Sequence, residues 1–385
     1  MSSRRLAALP DTRKRSLENR SGPQGSSILV GDQRLVNFSS NDYLGLANDP
    51  RLTAAAHDAI GLYGVGAGAA GLLSGWTDAH HALANALQVF MARDRALLFS
   101  SGYMANLGVV AALADRHTDI LHDRLNHASL IDAVKLSGAH SIRYRHADPA
   151  DFESRIPNNP AHSQMLLSDT VFSMDGDLAP VSELAAIAKA HKVLPIFDDA
   201  HGFGVMGNGR GLIHAAGLTQ EQAPLLVVTF GKALGTAGAA VIGRADLVES
   251  LLQRARPFIY DTAMPPLIAA ATHRALQLLD EDSSLLRRLH QNIAAFQFAM
   301  DDAGLPPTGS STPIQPIMLG GDELALATAN KLREAGFYVR AIRPPTVPEG
   351  TSRLRICLSA AHTADQISGL VLALKRLLPA KDIKV

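Results

Sequence analysis

The chain has 385 residues, 47% of them hydrophobic, and this length and apolar content exclude a disordered tail or a small disulfide-stapled module. Its 36 basic side chains balance 36 acidic ones, which excludes a global field that would draw the protein onto nucleic acid or an anionic membrane. Cys357 is the only cysteine, so an internal disulfide and multi-cysteine zinc or iron–sulfur sites are also excluded, and no metal is expected.

Residues 1–45 form an N-terminal segment ahead of the first helical pattern. The segment begins MSSRRLAALPDTRKRSLENR, which is basic but lacks the apolar core of a secretory signal. No apolar run in the chain approaches the roughly 18 residues of a membrane span. Asp11 and Glu18 argue against a transit peptide. We therefore predict a surface helix with solvated arginines at this end, and a cytoplasmic protein without a membrane partner.

A glycine-rich stretch, GVGAGAAG, has the spacing of a dinucleotide-binding turn at Gly66, Gly68 and Gly71, with Asp94 placed as a ribose-binding acid. That fingerprint requires a strand immediately before it. Residues 50–63 instead have helical spacing, with a proline near the first turn. We therefore predict a mobile or closely packed loop here, and no nucleotide site.

Residues 46–280 alternate apolar, β-rich runs with helical patterns such as SELAAIAKAHK. The runs are RALLFS, TDILHD, HSIRYR, QMLLSDTVF, KVLPIF, PLLVVTF and GAAVIG. Buried parallel strands have such continuous apolar runs, and the alternation is typical of βαβ units. The pattern predicts a large α/β domain with a doubly wound, mostly parallel sheet.

The pattern changes after residue 280 to longer helices and fewer strands. Helical periodicity is present in DEDSSLLRRLHQNIAAFQFAMDDAG, in GDELALATANKLREAG up to the capping Gly336, and in TADQISGLVLALKRLL. TSRLRICLS is a strand candidate. We predict that residues 281–385 form a smaller α+β domain.

Polar side chains follow several predicted strands at their carboxyl ends, where open α/β sheets bind ligands. Each of them alone is explained by capping, solvation or a structural hydrogen bond, but their conjunction favours a site. The set comprises Ser101, Gly102, Tyr103, Asn126, His127, Ser173, Asp175, Asp198, His201, Thr229 and Lys232.

This combination of residue types indicates pyridoxal phosphate chemistry. A lysine forms the Schiff base, and an aspartate holds the pyridine nitrogen protonated because its negative charge raises the pKa of that nitrogen. Gly102 lets the backbone approach a phosphate, and the N–H groups of the following helix start bind it.

Six ordered blocks resemble the α-oxoamine synthases, pyridoxal phosphate enzymes of the aspartate aminotransferase fold, fold type I. The blocks are FSSNDYLGL, DRLNHASLIDAV, VFSMDGDLAP, DDAHGFGVMG, TFGKALGTAG and GTSRLRICLSAAHT, and the match runs from about residue 15 to the C-terminus. The resemblance implies a homodimer with shared active sites that acts on an amino acid and an acyl-thioester.

The resemblance also implies a role for each matching position. Lys232 would hold the cofactor and remove the Cα proton, Asp198 would pair with the pyridinium nitrogen, and His201 would bond the phenolic oxygen. His127, the fourth catalytic candidate, would stack on the ring. Further cofactor contacts would be Ser101, Gly102, Tyr103, Ser173, Thr229 and, from the neighbouring subunit, Thr262. Substrate contacts would be Arg15, Asn41 and Arg355, the last preferred over Arg353. Asp199 and His80 receive no role.

The reaction shared by this family is a decarboxylating condensation of an amino acid with an acyl-thioester. FSSNDYLGL and DDAHG resemble the members that join L-alanine to a pimeloyl thioester in biotin biosynthesis. Sister reactions with glycine or serine stay open, as do the acyl chain and its carrier. The loop GAGAAGLLSG is poorer in Ser and Arg than in many relatives, so a different acyl chain is one of the open alternatives. Transamination or C–S lysis on the same fold, and a non-catalytic cofactor-binding protein, are the remaining alternatives.

Overall fold

A computed structural model describes residues 10–159, 161–379 and 382–383, and the chain divides into two compact units. The larger unit contains Leu46–Ser173 and Leu178–Leu286. The smaller unit contains the described residues up to Gly45, the short segment Met174–Asp177, and the described residues from Arg287 onward. The domain boundaries that the sequence predicts, after residues 45 and 280, remain a prediction.

Strands and helices follow one another along most of the described chain. The strands are β1 (Arg20–Ser21), β2 (Ser27–Val30), β3 (Gln33–Asn37), β4 (Arg95–Phe99), β5 (Thr118–Asp123), β6 (His140–Tyr144), β7 (Ser163–Asp169), β8 (Leu194–Asp198), β9 (Leu225–Thr229), β10 (Ala239–Gly243), β11 (Ile314–Gly320), β12 (Phe337–Tyr338), β13 (Arg340–Ile342) and β14 (Ser352–Cys357). The helices are α1 (Pro50–Tyr63), α2 (Asp78–Met91), α3 (Gly102–Leu113), α4 (Ala128–Ser137), α5 (Pro149–Ser154), α6 (Val181–Ala190), α7 (Leu212–Ala215), α8 (Ala245–Arg254), α9 (Arg256–Ile259), α10 (Pro266–Glu281), α11 (Ser284–Asp302), α12 (Asp322–Glu334) and α13 (Ala364–Leu377). None of the helices in the described ranges has the length and apolar content to cross a membrane.

A seven-stranded sheet, in the order β4-β10-β9-β8-β7-β5-β6, forms the centre of the larger unit. The pairs from β6 to β9 are parallel, and β10 is antiparallel to both of its neighbours. Every residue of β5 and β10 is buried, as expected for strands covered on both faces. The seven predicted apolar runs each form one of these strands, and the predicted fold class, fold type I with a mostly parallel sheet, is confirmed.

Helix α1 immediately precedes the glycine-rich stretch, as the sequence predicts. Its start is capped by Asp49, whose side chain accepts a hydrogen bond from the backbone N–H of Arg51 at 2.8 Å. The strand that a dinucleotide-binding turn requires is therefore replaced by a helix, and Gly71–Gly75 form a single π-helical turn.

The smaller unit contains a four-stranded sheet, β1-β2-β3-β12, and a three-stranded sheet, β11-β14-β13. The predicted strand TSRLRICLS forms β14, whose residues are all buried. Gly336 follows α12 with a φ of 92°, the left-handed conformation typical of a residue just past a helix end. α13 begins with a capping box between Thr363 and Gln366.

The N-terminal surface helix predicted from the sequence is wrong where the structure describes it. Residues 1–9 lie outside the described residues, and the next ten contain only a 3₁₀ turn at Asp11–Arg13. Contacts distant in sequence replace helical ones: Arg13 Nε lies 3.2 Å from Asp322 Oδ2 and Arg15 Nη2 bonds Thr346. These contacts hold the stretch in an irregular conformation.

Candidate active site

A cavity of about 140 Å³ lies in the larger unit, where β5, β7, β8 and β9 end. It collects most of the side chains that the sequence places beyond these strands. The predicted residues that line it are Gly102, Tyr103, His127, Ser173, Asp198, His201, Thr229 and Lys232, and they are joined by Asn106, Ser129, Asp169 and Ala200.

Asp198 is the last residue of β8 and is only 5% exposed. Its Oδ2 accepts a hydrogen bond from Asn106 Nδ2 at 2.6 Å, and its Oδ1 accepts one from the backbone N–H of Ala200 at 3.0 Å. The carboxylate is therefore fixed in orientation on the wall of the cavity. His201, also buried, follows on the same loop.

Lys232 follows β9, three residues beyond the strand end at Thr229. Its Nζ lies 3.4 Å from Thr229 Oγ1, and Thr229 Oγ1 lies 3.5 Å from the backbone oxygen of Ala200. The amine therefore lies on the same cavity wall as the loop that carries Asp198 and His201.

The N-terminus of α3 reaches the same cavity. Ser101 caps the helix by accepting a hydrogen bond from the backbone N–H of Met104 at 3.2 Å. A Cβ on Gly102 would lie 2.5 Å from the methyl carbon of Thr229, so a residue without a side chain is required at this close approach. The first N–H groups of a helix attract anions, which makes this corner suitable for a phosphate.

His127 caps α4, lines the cavity and is exposed in part to solvent. Its backbone N–H donates to Asp169 Oδ2 at 2.6 Å. Desolvation by the surrounding protein lowers the pKa of His127, while the negative charge of Asp198 opposes that shift. Burial raises the pKa of Asp169, and the charge of Asp198 acts in the same direction.

Asp199, for which the sequence suggests no role, is fully buried beneath the loop that follows β8. Its Oδ1 accepts a hydrogen bond from the Thr170 hydroxyl, and its Oδ2 accepts one from the backbone N–H of Leu212 at 3.1 Å. Burial raises the pKa of Asp199 to about 7. The side chain therefore anchors the loop and lies outside the set of residues that line the cavity.

His80, for which the sequence also suggests no role, hydrogen-bonds two segments of the backbone. Its Nδ1 accepts a hydrogen bond from the backbone N–H of Thr77 at 3.0 Å, and its Nε2 donates to the backbone oxygen of Met264 at 2.7 Å. The ring stacks on Trp76, and burial lowers the pKa of His80. This histidine joins the start of α2 to the segment before α10.

Two predicted cofactor residues do not line the cavity. Ser101 acts as the cap of α3, one residue outside it. Thr262 is exposed and forms an isolated antiparallel bridge with Ala70. A contact from Thr262 to the phosphate of a neighbouring subunit remains a prediction.

The predicted substrate residues lie in the smaller unit. Arg355 Nη1 donates to Asn41 Oδ1 at 3.0 Å and contacts Cys357 Sγ at 3.0 Å. Arg15 and Arg355 line a cavity of about 440 Å³, to which Arg13, Arg340 and Arg343 also contribute, and no acidic residue is among the described residues that line it. Such a surface favours carboxylate or phosphate groups.

Arg353, which is two residues from Arg355 on β14, has a different partner. Its guanidinium forms an ion pair with Asp175, and its side chain is only 3% exposed. Arg353 is therefore occupied by an ion pair within the protein. The preference for Arg355 as the arginine that binds the substrate remains a prediction.

Three residues of the cavity wall were missed as site candidates in the sequence: Asn106, Ser129 and Asp169. Asp169 ends β7 in the structure, but the predicted run QMLLSDTVF continues past it, so the strand-end signal that marks Asp198 was not visible there. Asn106 and Ser129 lie inside α3 and α4 and have no strand-end signal.

Comparisons with known proteins give a consistent result. The family profile for aminotransferases of class I and II matches residues 33–374. A protein named 8-amino-7-oxononanoate synthase from Methylococcus capsulatus is 48% identical over 358 residues, 93% of this chain and 92% of the relative. One of the same name from Pseudomonas aeruginosa is 49% identical over 352 residues, 91% of this chain and 88% of the relative.

Two solved structures are also similar along most of the chain. Serine palmitoyltransferase from S. paucimobilis, with a bound PLP–myriocin aldimine, has a TM-score of 0.89 and 29% identity, with 94% of this chain and 92% of that chain covered. 8-Amino-7-oxononanoate synthase from Francisella tularensis has a TM-score of 0.78 and 32% identity, with 89% and 97% covered.

Proposed function

The chain belongs to the aminotransferase class I and II family, in its α-oxoamine synthase group, and on that premise we propose that it condenses L-alanine with a pimeloyl thioester. The products are 8-amino-7-oxononanoate, carbon dioxide and the free thiol of the carrier, CoA or acyl carrier protein. This is an acyl transfer step of biotin biosynthesis. The protein is a pyridoxal-phosphate-dependent enzyme of fold type I.

The proposal of alanine and a pimeloyl thioester as substrates is based on one observation, the sequence identity to relatives. Relatives named for this activity are 48% identical to the chain over 93% of its length, whereas the serine palmitoyltransferase is 29% identical over 94%. The serine-using alternative keeps one argument in its favour, the TM-score of 0.89 against 0.78 for the 8-amino-7-oxononanoate synthase structure. The experiment below therefore offers both substrate pairs.

The cavity in the larger unit suits pyridoxal phosphate in its donor set and in its shape. A carboxylate at Asp198, an amine at Lys232 and an imidazole at His201 supply the groups that the pyridine nitrogen, the aldehyde carbon and the phenolic oxygen require. The close packing of Gly102 on the Thr229 methyl group holds the start of α3 at the cavity wall, where its first backbone N–H groups suit a phosphate.

Pyridoxal phosphate, when bound, supplies an electron sink for the bond that breaks at the amino acid Cα. Asp198 supplies the negative charge that keeps the pyridine nitrogen protonated. Lys232 Nζ moves the Cα proton, and the Thr229 hydroxyl, 3.4 Å away, orients that amine. His127 would cover one face of the ring of the bound cofactor. Ser173, another residue of the cavity wall, would contact its phenolic oxygen.

The carboxylates of the substrates require cationic partners. Arg355, oriented by Asn41, binds the amino acid carboxylate as a charge-assisted pair, and Arg15 binds the terminal carboxylate of the acyl chain. Both arginines line a cavity that has no acidic residue among its described lining residues, which favours anionic ligands. Two other arginines of the lining, Arg13 and Arg340, are paired with Asp322 and Glu18.

The active assembly in this proposal is a homodimer in the cytoplasm. Support for a second copy comes from large apolar side chains that are exposed on the larger unit, with Leu62 77%, Leu72 50% and Leu73 82% exposed. Thr262, which is outside the cavity of its own chain, then contributes to the phosphate site of the partner. The cytoplasmic location follows from the thioester substrates.

The test is thiol release by the protein loaded with pyridoxal phosphate and offered alanine, glycine or serine with pimeloyl-CoA, acetyl-CoA or palmitoyl-CoA. We expect release with alanine and pimeloyl-CoA, and loss of release when Lys232→Ala removes the amine. Preference for serine and palmitoyl-CoA would instead indicate a serine palmitoyltransferase activity. Cofactor binding without thiol release in any combination would contradict the proposed catalysis.

A further inference from the structure

A continuous chain of hydrogen bonds joins Asp198 to His127 beneath the cofactor cavity. Asn106 Nδ2 donates to Asp198 Oδ2 at 2.6 Å and to Ser129 Oγ at 2.8 Å. Ser129 Oγ in turn lies 2.7 Å from His127 Nδ1. Asn106 and Ser129 are each 1% exposed and Asp198 is 5% exposed, so water does not compete for the bonds that Asn106 makes. We call these two residues the Asn106–Ser129 bridge.

The direction of each proton in the bridge follows from the chemistry of its groups. An amide nitrogen only donates, and the amide oxygen of Asn106 could not face a carboxylate oxygen at 2.6 Å without repulsion. Ser129 Oγ accepts the second amide proton and can donate its own hydroxyl proton to His127 Nδ1, which lies 2.7 Å away. The backbone N–H of Ser129 also points at that nitrogen, at 3.3 Å. His127 Nδ1 therefore accepts and carries no proton.

The amide of Asn106 adopts this orientation at a cost. Its oxygen is buried and has no hydrogen-bond partner among the described residues. A buried acceptor without a partner is unfavourable. The orientation is therefore dictated by Asp198 and Ser129, which both require a donor, and not by the needs of the amide itself.

We propose that Asn106 and Ser129 are positioning residues that hold His127 as the neutral tautomer with its proton on Nε2 and that fix the orientation of Asp198. A neutral imidazole is the form that a protonated pyridine ring tolerates at its face, because an imidazolium there would repel it. The bridge thus leaves Asp198 as the charge that balances the ring. This inference rests on the cofactor site of the proposed function and is independent of the substrates.

The charged groups around His127 do not impose this protonation state by themselves. Asp198 and Asp132 favour the protonated ring, whereas Lys232 and desolvation disfavour it. Asp169 is bonded to the backbone N–H of His127 and not to its ring. The hydroxyl of Ser129, at 2.7 Å, is therefore the shorter of the two contacts that exclude a proton from Nδ1, and the backbone N–H of Ser129 is the other.

The test uses the holoenzyme and two readouts other than activity: the pH dependence of the absorbance of bound pyridoxal phosphate and its dissociation constant. Between pH 5.5 and 8.5 the absorbance of the parent should show no transition due to His127. The His127→Phe variant should therefore titrate as the parent does. Ser129→Ala should raise the pKa of His127 and so add a transition in this range, with cofactor affinity weakened about fivefold more at pH 6 than at pH 8. Asn106→Ala should weaken the affinity at both pH values, since Asp198 loses a donor.

Three controls separate positioning from a general structural effect. Ser137→Ala makes the same change at the other end of α4, where the Ser137 hydroxyl bonds the backbone oxygen of Val134 at 2.8 Å, and should leave both readouts unchanged. Ser129→Thr keeps the hydroxyl and should restore the parent titration. In Ser129→Ala, replacing His127 with Phe should abolish the added transition.

The outcomes distinguish this inference from the proposed function. A Ser129→Ala titration that superimposes on the parent would overturn the bridge, even if the variant melts at a lower temperature. A parent transition near pH 6.5 that disappears in His127→Phe would overturn it as well. A parent that binds pyridoxal phosphate but does not turn over alanine with pimeloyl-CoA would refute the proposed function alone. A parent that does not bind the cofactor would refute both.

Discussion

The replacement of Asp199 with Asn should make the protein less sensitive to pH, because the aspartate is buried and the groups that bond it, Thr170 and the backbone of Leu212, carry no positive charge. Its pKa is about 7 in the folded protein, against about 3.9 in an unfolded chain. Between these values the folded state holds a proton that the unfolded state lacks. Stability due to Asp199 is therefore fully present below pH 4 and falls as the pH rises to 7.

The size of the effect follows from the shift. When the pH rises from 5 to 8, the contribution of Asp199 to the free energy of unfolding falls across the roughly 2 pH units below its folded pKa. The loss is about 3 kcal/mol at 1.36 kcal/mol per unit. For 385 residues the entropy of unfolding is about 0.8 kcal/mol/K, so the melting temperature of the parent should fall by about 3 to 4 °C relative to the variant. The asparagine side chain of the variant would keep a contact to both Thr170 and Leu212, because Oδ1 of Asp199 already lies within 3.3 Å of the backbone N–H of Leu212.

The assay is thermal unfolding of the cofactor-free protein, parent and Asp199→Asn, at half-unit steps from pH 5 to 8. The quantity to follow is the difference in melting temperature between the two proteins, since other groups titrate equally in both. Asp58→Asn, at an exposed position, is the matched control and should show a constant difference. A constant difference for Asp199→Asn as well would refute the reasoning, because the buried carboxyl would then titrate as an ordinary one.

Three further substitutions test other contacts. Cys357→Ala removes a neighbour of the Arg355 guanidinium and should raise KM for the amino acid about fivefold in steady-state assays, with kcat changed less than about twofold. Cys357→Ser should give an intermediate KM, and an unchanged KM in Cys357→Ala would contradict the prediction. His80→Ala removes the donor to the backbone oxygen of Met264 and should lower stability by about 2 kcal/mol in denaturant unfolding, whereas a loss below about 0.5 kcal/mol would argue against the structural position. Arg353→Met removes one half of a buried ion pair and should lower the melting temperature without changing KM for the amino acid, while a large rise in KM would make Arg353 the substrate arginine.

The sequence predicts the central sheet well because its signals are local. β8 and β9 are nearly continuous apolar runs, as parallel strands that are covered on both faces require, whereas β6, with the sequence HSIRY, is an edge strand with mostly exposed residues. The strands β1 to β3 were not predicted. They are short, and β3, with the sequence QRLVN, has only two apolar residues and pairs in part with β12. Pairing at that sequence distance leaves no local pattern.

The candidate site divides in the same way. Asp198, Thr229 and Lys232 lie at or just beyond strand ends, and strand ends are visible in the sequence. Asn106 and Ser129 lie within helices, where each resembles an ordinary helical polar residue. They meet because α3 packs on α4, and no spacing rule relates two positions on different helices. The role of Asp199 was missed for a related reason, since its partners Thr170 and Leu212 are distant in sequence.

The pairing of β3 with β12 means that β3 cannot complete its sheet until late in the synthesis of the chain. Val36 leaves the ribosome long before its partner Phe337 exists, and Phe38 bonds both the backbone oxygen of Tyr338 and the backbone N–H of Cys357. At 5 to 20 residues per second, roughly 300 intervening residues take about 15 to 60 s to translate. During that interval the open edge of β3 is available to a chaperone or to another nascent chain, and only the last part of the polypeptide closes it.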